Sequence, residues 1–317
     1  MIQLNQSATE VCRQMIEQSD RLRIAVHENA DGSRVIDCGV ESLGGLEAGR
    51  RLAEVCMADL GTVEIVPSHG NRPGPAVAVR TDHPLLACMA AQYAGWRISR
   101  NGYFAMGSGP MRGLAHKEPL FEKIGHLEPE SRAVGVLESS HLPPPEVCGE
   151  IAQQCGIDAA RLILLVAPTA SQAGTVQIVA RSAESAMHKL SELGFDLRRV
   201  ESAFGVAPLP PVAGNDLEAM GRTNDAILYG GEVTLWVRGD DETIAAVAPQ
   251  IPSGASRDHG VPFADLFRRY QGDFYRMDPR LFGPAVVTLC NLDTGQTLRF
   301  GRLVPELLEQ WTEKSTQ

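Results

Sequence analysis

The chain has 317 residues, of which 44% are hydrophobic and 21% charged, and its 29 basic and 39 acidic residues give a net charge of −10. These values are typical of a globular protein of about two domains, and they argue against a general surface for nucleic acid or acidic membranes, which needs clustered positive charge. No apolar stretch of about 18 residues predicts a membrane span and no signal peptide is recognised, so we expect a cytoplasmic protein whose seven scattered cysteines are reduced.

The first part of the chain predicts a mixture of helices and short strands. Apolar residues at helical spacing predict the first helix, and turn residues between two short apolar runs predict a hairpin. The predicted helices are 4–19, 46–59 and 82–94, and the predicted strands are 21–27, 34–38, 62–66 and 75–80. Residues 101–116 mix glycine, serine and apolar residues without a period, which predicts a loop beside a strand.

The second part continues this mixture, with several predicted hairpins. We expect strands at 134–140, 161–169 and 175–182, and helices at 143–156, 183–193 and 262–270. Residues 200–214 predict a proline-rich connection, and 216–237 a helix, a polar turn and a hairpin through Gly230-Gly231. A final hairpin is predicted around residues 293–295. Strands and helices in this order indicate an α+β fold rather than a regular doubly wound sheet.

The sequence Arg181-Ser182-Ala183-Glu184 is the most suggestive arrangement of polar residues. A predicted strand stops here and a helix begins, with Ser182 as its expected N-cap and Glu184 in its first turn. An arginine beside a carboxylate can orient it and fix its charge. A glutamate is, however, favoured in a first helical turn by the helix dipole alone, so the spacing leaves both interpretations open.

Other polar segments offer weaker candidates. The segment GSGPMRG (107–113) contains Ser108 and Arg112, and its glycines would let backbone amides approach an anion, although a plain turn fits the segment better. Glu138 precedes Ser139-Ser140-His141 at a strand end. A serine and a histidine could form a nucleophilic pair, but residues adjacent in sequence rarely adopt the geometry of a catalytic triad. The eight histidines never occur at the spacing of a metal-ligand pair, so no zinc site is predicted.

Two compact polar clusters lie between apolar segments in the second half of the chain. One contains Asn224 and Asp225 within Arg222–Asp225, and the other contains Ser256 and Arg257 within Ser256–His259. Each cluster is compatible with a turn whose polar groups bond to one another or with a ligand contact.

Long ordered segments carry a resemblance to a known family. They are YFAMGSGPMR (103–112), APTASQAGTVQIVARSAE (167–184), GRTNDAILYGG (221–231), PSGASRDHGVPFADLF (252–267) and residues 272–301. Together with the regions between them, they resemble methenyltetrahydromethanopterin cyclohydrolases of methanogenic archaea and methylotrophic bacteria over nearly the whole chain. His259 is a departure, since the family typically has tyrosine there.

The resemblance implies a reversible hydrolysis of the N5,N10-methenyl bridge of tetrahydromethanopterin to the N5-formyl form, without metal or organic cofactor. It implies catalytic roles for Arg181 and Glu184, and it supports a set of candidate substrate-binding residues: Ser108, Arg112, Glu138, Asn224, Asp225, Ser256 and Arg257. It further implies a homotrimer in which each chain has two related α+β subdomains with a pocket between them. The division between the subdomains is expected near residues 95–130, and an interleaved arrangement of the two along the sequence is left open. Two alternatives remain, a non-catalytic pterin-binding protein and a metal-dependent amidohydrolase.

Overall fold

The structure is a computed structural model that describes residues 2–67, 74–115, 118–126, 128, 129, 131–273 and 276–313. The chain forms two compact units. The first consists of Met1–Thr62 and Leu86–Gln177, and the second of Val63–Leu85 and Ile178–Gln317. Each unit has its own mixed sheet, with six strands among the described residues, together with helices. The predicted α+β fold with two subdomains is confirmed. Residues 95–130, where the sequence analysis placed the division, fall within the first unit.

The helices and strands have the following bounds. The helices are α1 (Leu4–Glu17), α2 (Ser19–Leu22), α3 (Leu46–Cys56), a π-helix (Leu85–Gln92), α4 (Met111–Ala115), α5 (Leu120–Ile124), α6 (Pro145–Gln154), α7 (Gln172–Val179), α8 (Ser182–Glu192), α9 (Asp216–Gly230), α10 (Asp241–Val247), α11 (Phe263–Arg269) and α12 (Pro305–Glu313). The strands are β1 (Ala25–Glu28), β2 (Arg34–Asp37), β3 (Thr62–Val66), β4 (Ala76–Thr81), β5 (Trp96–Arg100), β6 (Tyr103–Ser108), β7 (Ala133–Glu138), β8 (Leu162–Ala167), β9 (Val200–Pro208), β10 (Glu232–Val237), β11 (Val286–Asn291) and β12 (Thr297–Gly301).

The sheet of the first unit has the strand order β1-β2-β8-β7-β6-β5. Strands β2, β8 and β7 run parallel at its centre, and antiparallel hairpins complete both sides. Because successive side chains of a strand point to opposite faces, the sheet separates two apolar clusters. Ile36, Val134 and Leu165 pack with α1 and α3, whereas Leu164 and Val166 pack with α6. The central strands are therefore buried on both faces.

The sheet of the second unit has the order β12-β11-β10-β9-β4-β3. Strands β10 and β11 are parallel, while β9 is antiparallel to both β10 and β4. Helix α8 packs on β9, β10 and β4, so the segment that begins at Ser182 is fixed against the middle of this sheet. The predicted final hairpin is confirmed, since β11 and β12 pair antiparallel.

Residues 175–182 form no strand, so this prediction is wrong. Gln172–Val179 is helix α7, and Ser171 caps it, because the Ser171 Oγ accepts a hydrogen bond from the Gly174 N–H at 3.0 Å. A short run rich in β-branched residues fits a buried strand and a buried helix equally well by period. The serine before the run was the sequence signal that favoured the helix.

Residues 216–237 contain neither the predicted polar turn nor the predicted hairpin through Gly230-Gly231. Helix α9 is continuous to Gly230 and is followed by β10 alone. The helix tolerates its polar residues because Thr223 Oγ1 donates to the Ala219 carbonyl at 2.9 Å and Asn224 Nδ2 to the Met220 carbonyl at 2.8 Å. These side chains are thus satisfied within the helix rather than in a turn.

Two predicted irregular segments are strands in the structure. Residues 200–208 of the proline-rich segment form β9, with Pro208 at its last position, where it pairs with Ala76 of β4. Residues 103–108 form β6, and the turn predicted after it is confirmed at Gly109, whose φ of +89° favours glycine. Long-range pairing on both sides overrides the turn composition of each segment.

All seven cysteines are free thiols, and six of them are buried. Within the ranges that the structure describes, the helices are too short or too polar to cross a membrane.

Candidate functional site

Arg181 and Glu184 lie at the start of helix α8 in the second unit. Both residues are largely buried, with relative exposures of 7% for Arg181 and 8% for Glu184. Residues three apart at a helix start are neighbours on its surface, so Arg181 and Glu184 occupy the same side of the start of α8. The positive end of the helix dipole lies at the same point and favours the ionised carboxylate.

The buried face of α8 positions this pair. Ala183, Ala186, Met187 and Leu190 recur at helical spacing and are fully buried, whereas Leu193, at the end of the same stripe, is partly buried. The helix start approaches β9 closely at Gly205, where an added Cβ would lie 2.4 Å from Ser182 Oγ. Glycine at this position therefore allows the first turn of α8 to contact the sheet.

Ser182 is not the N-cap of α8, contrary to the sequence prediction. The helix begins at Ser182 itself, and Arg181 is the residue before it, whose carbonyl accepts the Ser185 N–H at 2.9 Å. Ser182 Oγ is buried and has no hydrogen-bond partner among the described residues. Only a single turn of chain separates α7 from α8, and it leaves no extended residue in which Ser182 could cap.

A cavity of about 660 Å³ lies beside Ser256 and Arg257 in the same unit, and Asp278 and Arg280 also line it. Asp278 organises its wall by accepting hydrogen bonds from Ser256 Oγ at 2.9 Å and from the Arg257 N–H at 3.1 Å. Burial raises the pKa of Asp278, but the N–H of Arg280 and these two donors outweigh it and hold the pKa below its ordinary value. The Arg257 side chain is exposed.

Lys189 connects α8 to this cavity wall. Its Nζ donates hydrogen bonds to the carbonyl of Pro279, which lines the cavity, and to Glu192 Oε2 at 3.1 Å. Burial lowers the pKa of this lysine, although the carboxylate of Glu192 opposes the shift. The helix that carries Arg181 and Glu184 is thus tied through its second half to the segment around Asp278.

Asn224 and Asp225 belong to α9 and are bonded within the second unit. The amide of Asn224 donates to the main chain of its own helix, as described above. Asp225 is 5% exposed and accepts the Phe263 N–H at 2.8 Å, which fixes the start of α11. Burial raises the pKa of Asp225 to about 7 despite this hydrogen bond. Both contacts join elements of the fold.

Ser108 and Arg112 lie in the interior of the first unit. Ser108 is fully buried and donates to the Val136 carbonyl at 3.3 Å. Arg112 is 1% exposed, and its Nε donates to Glu118 Oε1 at 2.8 Å. Another of its nitrogens donates to the carbonyls of Met89 and Ala91, and the guanidinium lies over two aromatic rings. The GSGPMRG segment thus places its charged residue inside the protein.

Glu138 lies at the carboxyl end of β7, half-buried, in the first unit. Asp37 occupies the equivalent end of β2 and was not among the residues predicted from the sequence. Its carboxylate is buried and accepts four backbone N–H groups, from residues 39 to 42, at 2.6–2.9 Å. Burial raises the pKa of Asp37, but these N–H groups outweigh it and lower the pKa. An aspartate at the end of an apolar run and two residues before a glycine was the available signal.

Comparison with known proteins decides what this arrangement belongs to. The sequence profile of the cyclohydrolase (MCH) family matches residues 3–311. This chain belongs to the cyclohydrolase (MCH) family.

Relatives within this cyclohydrolase family cover nearly the whole chain. A protein of Rhodopirellula baltica named methenyltetrahydromethanopterin cyclohydrolase is 49% identical over 286 residues, which are 88% of this chain and 86% of the relative. Proteins of the same name from Methanosarcina barkeri and a Methylobacterium species are each 43% identical, over 98% of both chains for the first and over 97% of this chain and 96% of the relative for the second.

The predicted residues of this cyclohydrolase divide between its two units. Arg181, Glu184 and the residues around Ser256 belong to the second unit, and Ser108, Arg112 and Glu138 to the first. In the described part of the chain, no three His, Cys, Asp or Glu side chains are grouped as metal ligands. The pocket expected between the subdomains stays a prediction.

Proposed function

We propose that the protein is a methenyltetrahydromethanopterin cyclohydrolase that catalyses the reversible hydrolysis of the methenyl bridge to the N5-formyl pterin. The match to the family over residues 3–311 carries this proposal, and the relatives named for this activity support it. The buried Arg181 and Glu184 at the start of α8 supply the chemical groups that such a reaction needs.

The reaction needs a base more than it needs an electrophilic catalyst. The bridge carbon, in N5–CH=N10⁺, is already electrophilic because the amidinium cation is delocalised. Attack by neutral water forms a C–O bond, and a proton must leave the water as the bond forms. A positioned carboxylate can accept that proton.

We assign the role of general base to Glu184 and a positioning role to Arg181. Glu184 gives the proton it has taken to N10 as the C–N10 bond breaks, and the hydroxyl group on the former bridge carbon loses its own proton to solvent as the C=O bond of the N5-formyl group forms. Arg181 orients the carboxylate and stabilises negative charge on the attacking oxygen. The helix dipole and Arg181 both favour the ionised form of Glu184, the form that a base must have.

The exposure and the contacts of the candidate substrate-binding residues separate them into two groups. We propose that Arg257, whose guanidinium is exposed beside the Ser256 cavity, contacts polar or anionic parts of the pterin. Glu138 stays a candidate at its strand end. The contacts of Ser108, Arg112, Asn224 and Asp225 favour structural roles that shape the protein around the substrate.

We also propose that the enzyme acts without a metal or organic cofactor, as a cytoplasmic homotrimer in the one-carbon metabolism of methylotrophy. The electrophilic amidinium makes a Lewis acid unnecessary for the attack. Sedimentation of the purified protein tests the trimer, and prolonged dialysis against EDTA tests the metal. Retained activity is expected, and a loss that zinc restores would favour the metal-dependent amidohydrolase.

The decisive experiment follows the absorbance of methenyl-tetrahydromethanopterin during hydrolysis, with the tetrahydrofolate analogue in parallel. Turnover is expected on the methanopterin substrate and far weaker turnover on the analogue. Equal kcat/KM on both would contradict the methanopterin assignment. Tight binding without turnover would identify a pterin-binding protein instead of an enzyme.

A further inference from the structure

A groove of about 460 Å³ in the first unit is lined by three arginines. We call it the arginine groove, and its relevant lining residues are Thr9, Arg34, Ser131, Arg132, Arg161 and Ile163. The chain as a whole has a net charge of −10. The charge of a concave surface lined by three guanidinium groups is therefore opposite in sign to the net charge of the protein. Neither the catalytic pair nor the Ser256 cavity uses any of these residues.

The register of the parallel strands brings the three arginines together. Arg34 is the first residue of β2 and pairs with Ile163 of β8, while Ala133 of β7 pairs with Leu162. Arg132 and Arg161 therefore immediately precede paired residues of neighbouring strands. Adjacent strands lie about 4.8 Å apart, so the arginines are aligned along the amino edge of the sheet.

The three arginines also lie on the same face of that sheet. Arg161 is two residues before Ile163, and Arg132 is two residues before Val134, which pairs with Ile163. Arg132 and Arg161, which directly precede β7 and β8, line the same groove as Ile163 and Arg34 and so lie on their face of the sheet. This is the face covered by α1, which contributes Thr9 to the groove.

In the part of the chain that the structure describes, carboxylates contact the arginines of this groove only through long, exposed ion pairs. Arg34 lies 3.5 Å from Glu28, and Arg161 lies 4.0 Å from Asp158, with each of these four side chains at least half exposed. Long, exposed ion pairs of this kind contribute little to the stability of a protein. Arg132 Nε is buried and has no hydrogen-bond partner among the described residues. A buried donor without a partner is costly, and a bound anion would satisfy it.

From this geometry we propose that the arginine groove is a binding site for a small phosphate-bearing molecule with at least two negative charges. Guanidinium groups match phosphate oxygens with paired hydrogen bonds, and the exposed Ser131 lies beside them at the rim. The volume is in the range of small-molecule sites, roughly 300–1,000 Å³. The groove follows the amino ends of β2, β8 and β7, whereas Asp37 and Glu138 end β2 and β7 at the opposite edge. The proposal does not rest on the proposed catalytic function.

Inorganic pyrophosphate is the probe, titrated calorimetrically into the full chain at constant ionic strength, with chloride as the reference anion. The groove variants are Arg132→Gln and the double variant Arg34→Gln/Arg161→Gln, whose two positions are exposed enough to leave folding intact. The matched control is Arg100→Gln on β5 of the same sheet, which removes one charge from an exposed ion pair with Glu150. Circular dichroism and sedimentation accompany each variant.

We expect saturable binding of one pyrophosphate per chain that both groove variants weaken at least tenfold and that the control leaves unchanged. Absence of saturable binding, or equal weakening by Arg100→Gln, would overturn the proposal. Variants that change the oligomeric state while the wild type binds no anion would assign the groove to contact between subunits. A rise in KM for the pterin parallel to the loss of pyrophosphate binding would make the groove part of the substrate site, and this would also overturn the proposal.

Discussion

Gly205 of β9 lies directly against Ser182 at the start of α8. An added Cβ at residue 205 would lie 2.4 Å from Ser182 Oγ and 3.0 Å from the Ala183 nitrogen. Real Cβ contacts are not this short, so a larger residue would displace the first turn of the helix that carries Glu184. Close packing, and not backbone conformation, requires glycine here.

Gly205→Ala should therefore lower both activity and stability. We expect a loss of roughly 1–3 kcal/mol in the free energy of unfolding, as is typical of overpacking, together with a reduced kcat. Gly149→Ala is the control, because nothing lies within 4 Å of an added Cβ at that position in α6. It should stabilise the protein by up to about 1 kcal/mol and leave kcat unchanged. Wild-type kinetics for Gly205→Ala would contradict a role for this contact in positioning α8.

Glu184→Gln should lower kcat by roughly 10²–10⁴-fold, because the amide keeps the shape of the side chain but cannot accept the proton of the attacking water. Steady-state hydrolysis of the methenyl pterin measures the effect. Glu192→Gln, an exposed position on the same helix, is the matched control and should retain wild-type kcat. If Glu184→Gln kept more than about a third of kcat while binding substrate normally, another base would be needed.

Arg181→Ala extends this test to the pair. If Arg181 acts by positioning Glu184, the double variant Arg181→Ala/Glu184→Gln should lose less activity than the product of the two single losses, because residues that act as a unit are not additive. Strictly multiplicative losses would mean that the arginine and the carboxylate act independently.

Arg257→Ala and Arg112→Ala should have different effects. Arg257 is exposed beside the Ser256 cavity, so its loss should raise KM more than it lowers kcat, with little effect on stability. Arg112 is buried and paired with Glu118, so its loss should destabilise the fold by roughly 3–5 kcal/mol. Kinetics and thermal unfolding of both variants separate the two roles. An unchanged KM in Arg257→Ala would exclude this residue from substrate binding.

The raised pKa of Asp225 should make the stability of the protein depend on pH. Burial raises its pKa to about 7 in the folded protein from an ordinary value of 3.8. Between these values the folded state keeps a proton that the unfolded state has lost, so stability should fall as the pH rises from about 4 to about 7. The slope is roughly 1.4 kcal/mol per pH unit within that window.

Chemical unfolding of the wild type and Asp225→Asn from pH 4 to pH 8 measures this effect. The amide can still accept the Phe263 N–H but does not titrate, so the stability of the variant relative to the wild type should rise across the window. Parallel curves for the two proteins would show that Asp225 titrates alike in the folded and unfolded states.

Local patterns predicted the elements whose contacts are close in sequence. The β1–β2 and β11–β12 hairpins and helix α8, predicted at 183–193, follow directly from period and turn residues. Strand β9 could not be predicted in the same way, because its pairing with β4 and β10 depends on distant residues. Helix α7 was mistaken for a strand because its apolar run has no distinguishing period.

Some residues of the candidate site could likewise be predicted from the sequence, and others could not. The resemblance singled out Arg181 and Glu184, and their burial at one helix start fits the roles proposed for them. The GSGPMRG segment indicated an anion contact for Arg112, yet this residue lies in α4 and its guanidinium bonds to Glu118 and to carbonyls of the interior. Composition cannot distinguish an arginine that faces a ligand from one that holds the fold together, because both occur beside small residues.

The interleaving of the two units has a consequence during synthesis on the ribosome. The β1–β2 hairpin is made early, but the strand that pairs with the open edge of β2 is β8, which begins only at Leu162. Likewise β4, which ends at Thr81, has no partner on one of its edges until β9 is made, and β9 begins at Val200. A nascent chain released before Leu162 would expose unpaired strand edges from both units, a state prone to aggregation. Neither unit can therefore finish folding before most of the chain has been translated.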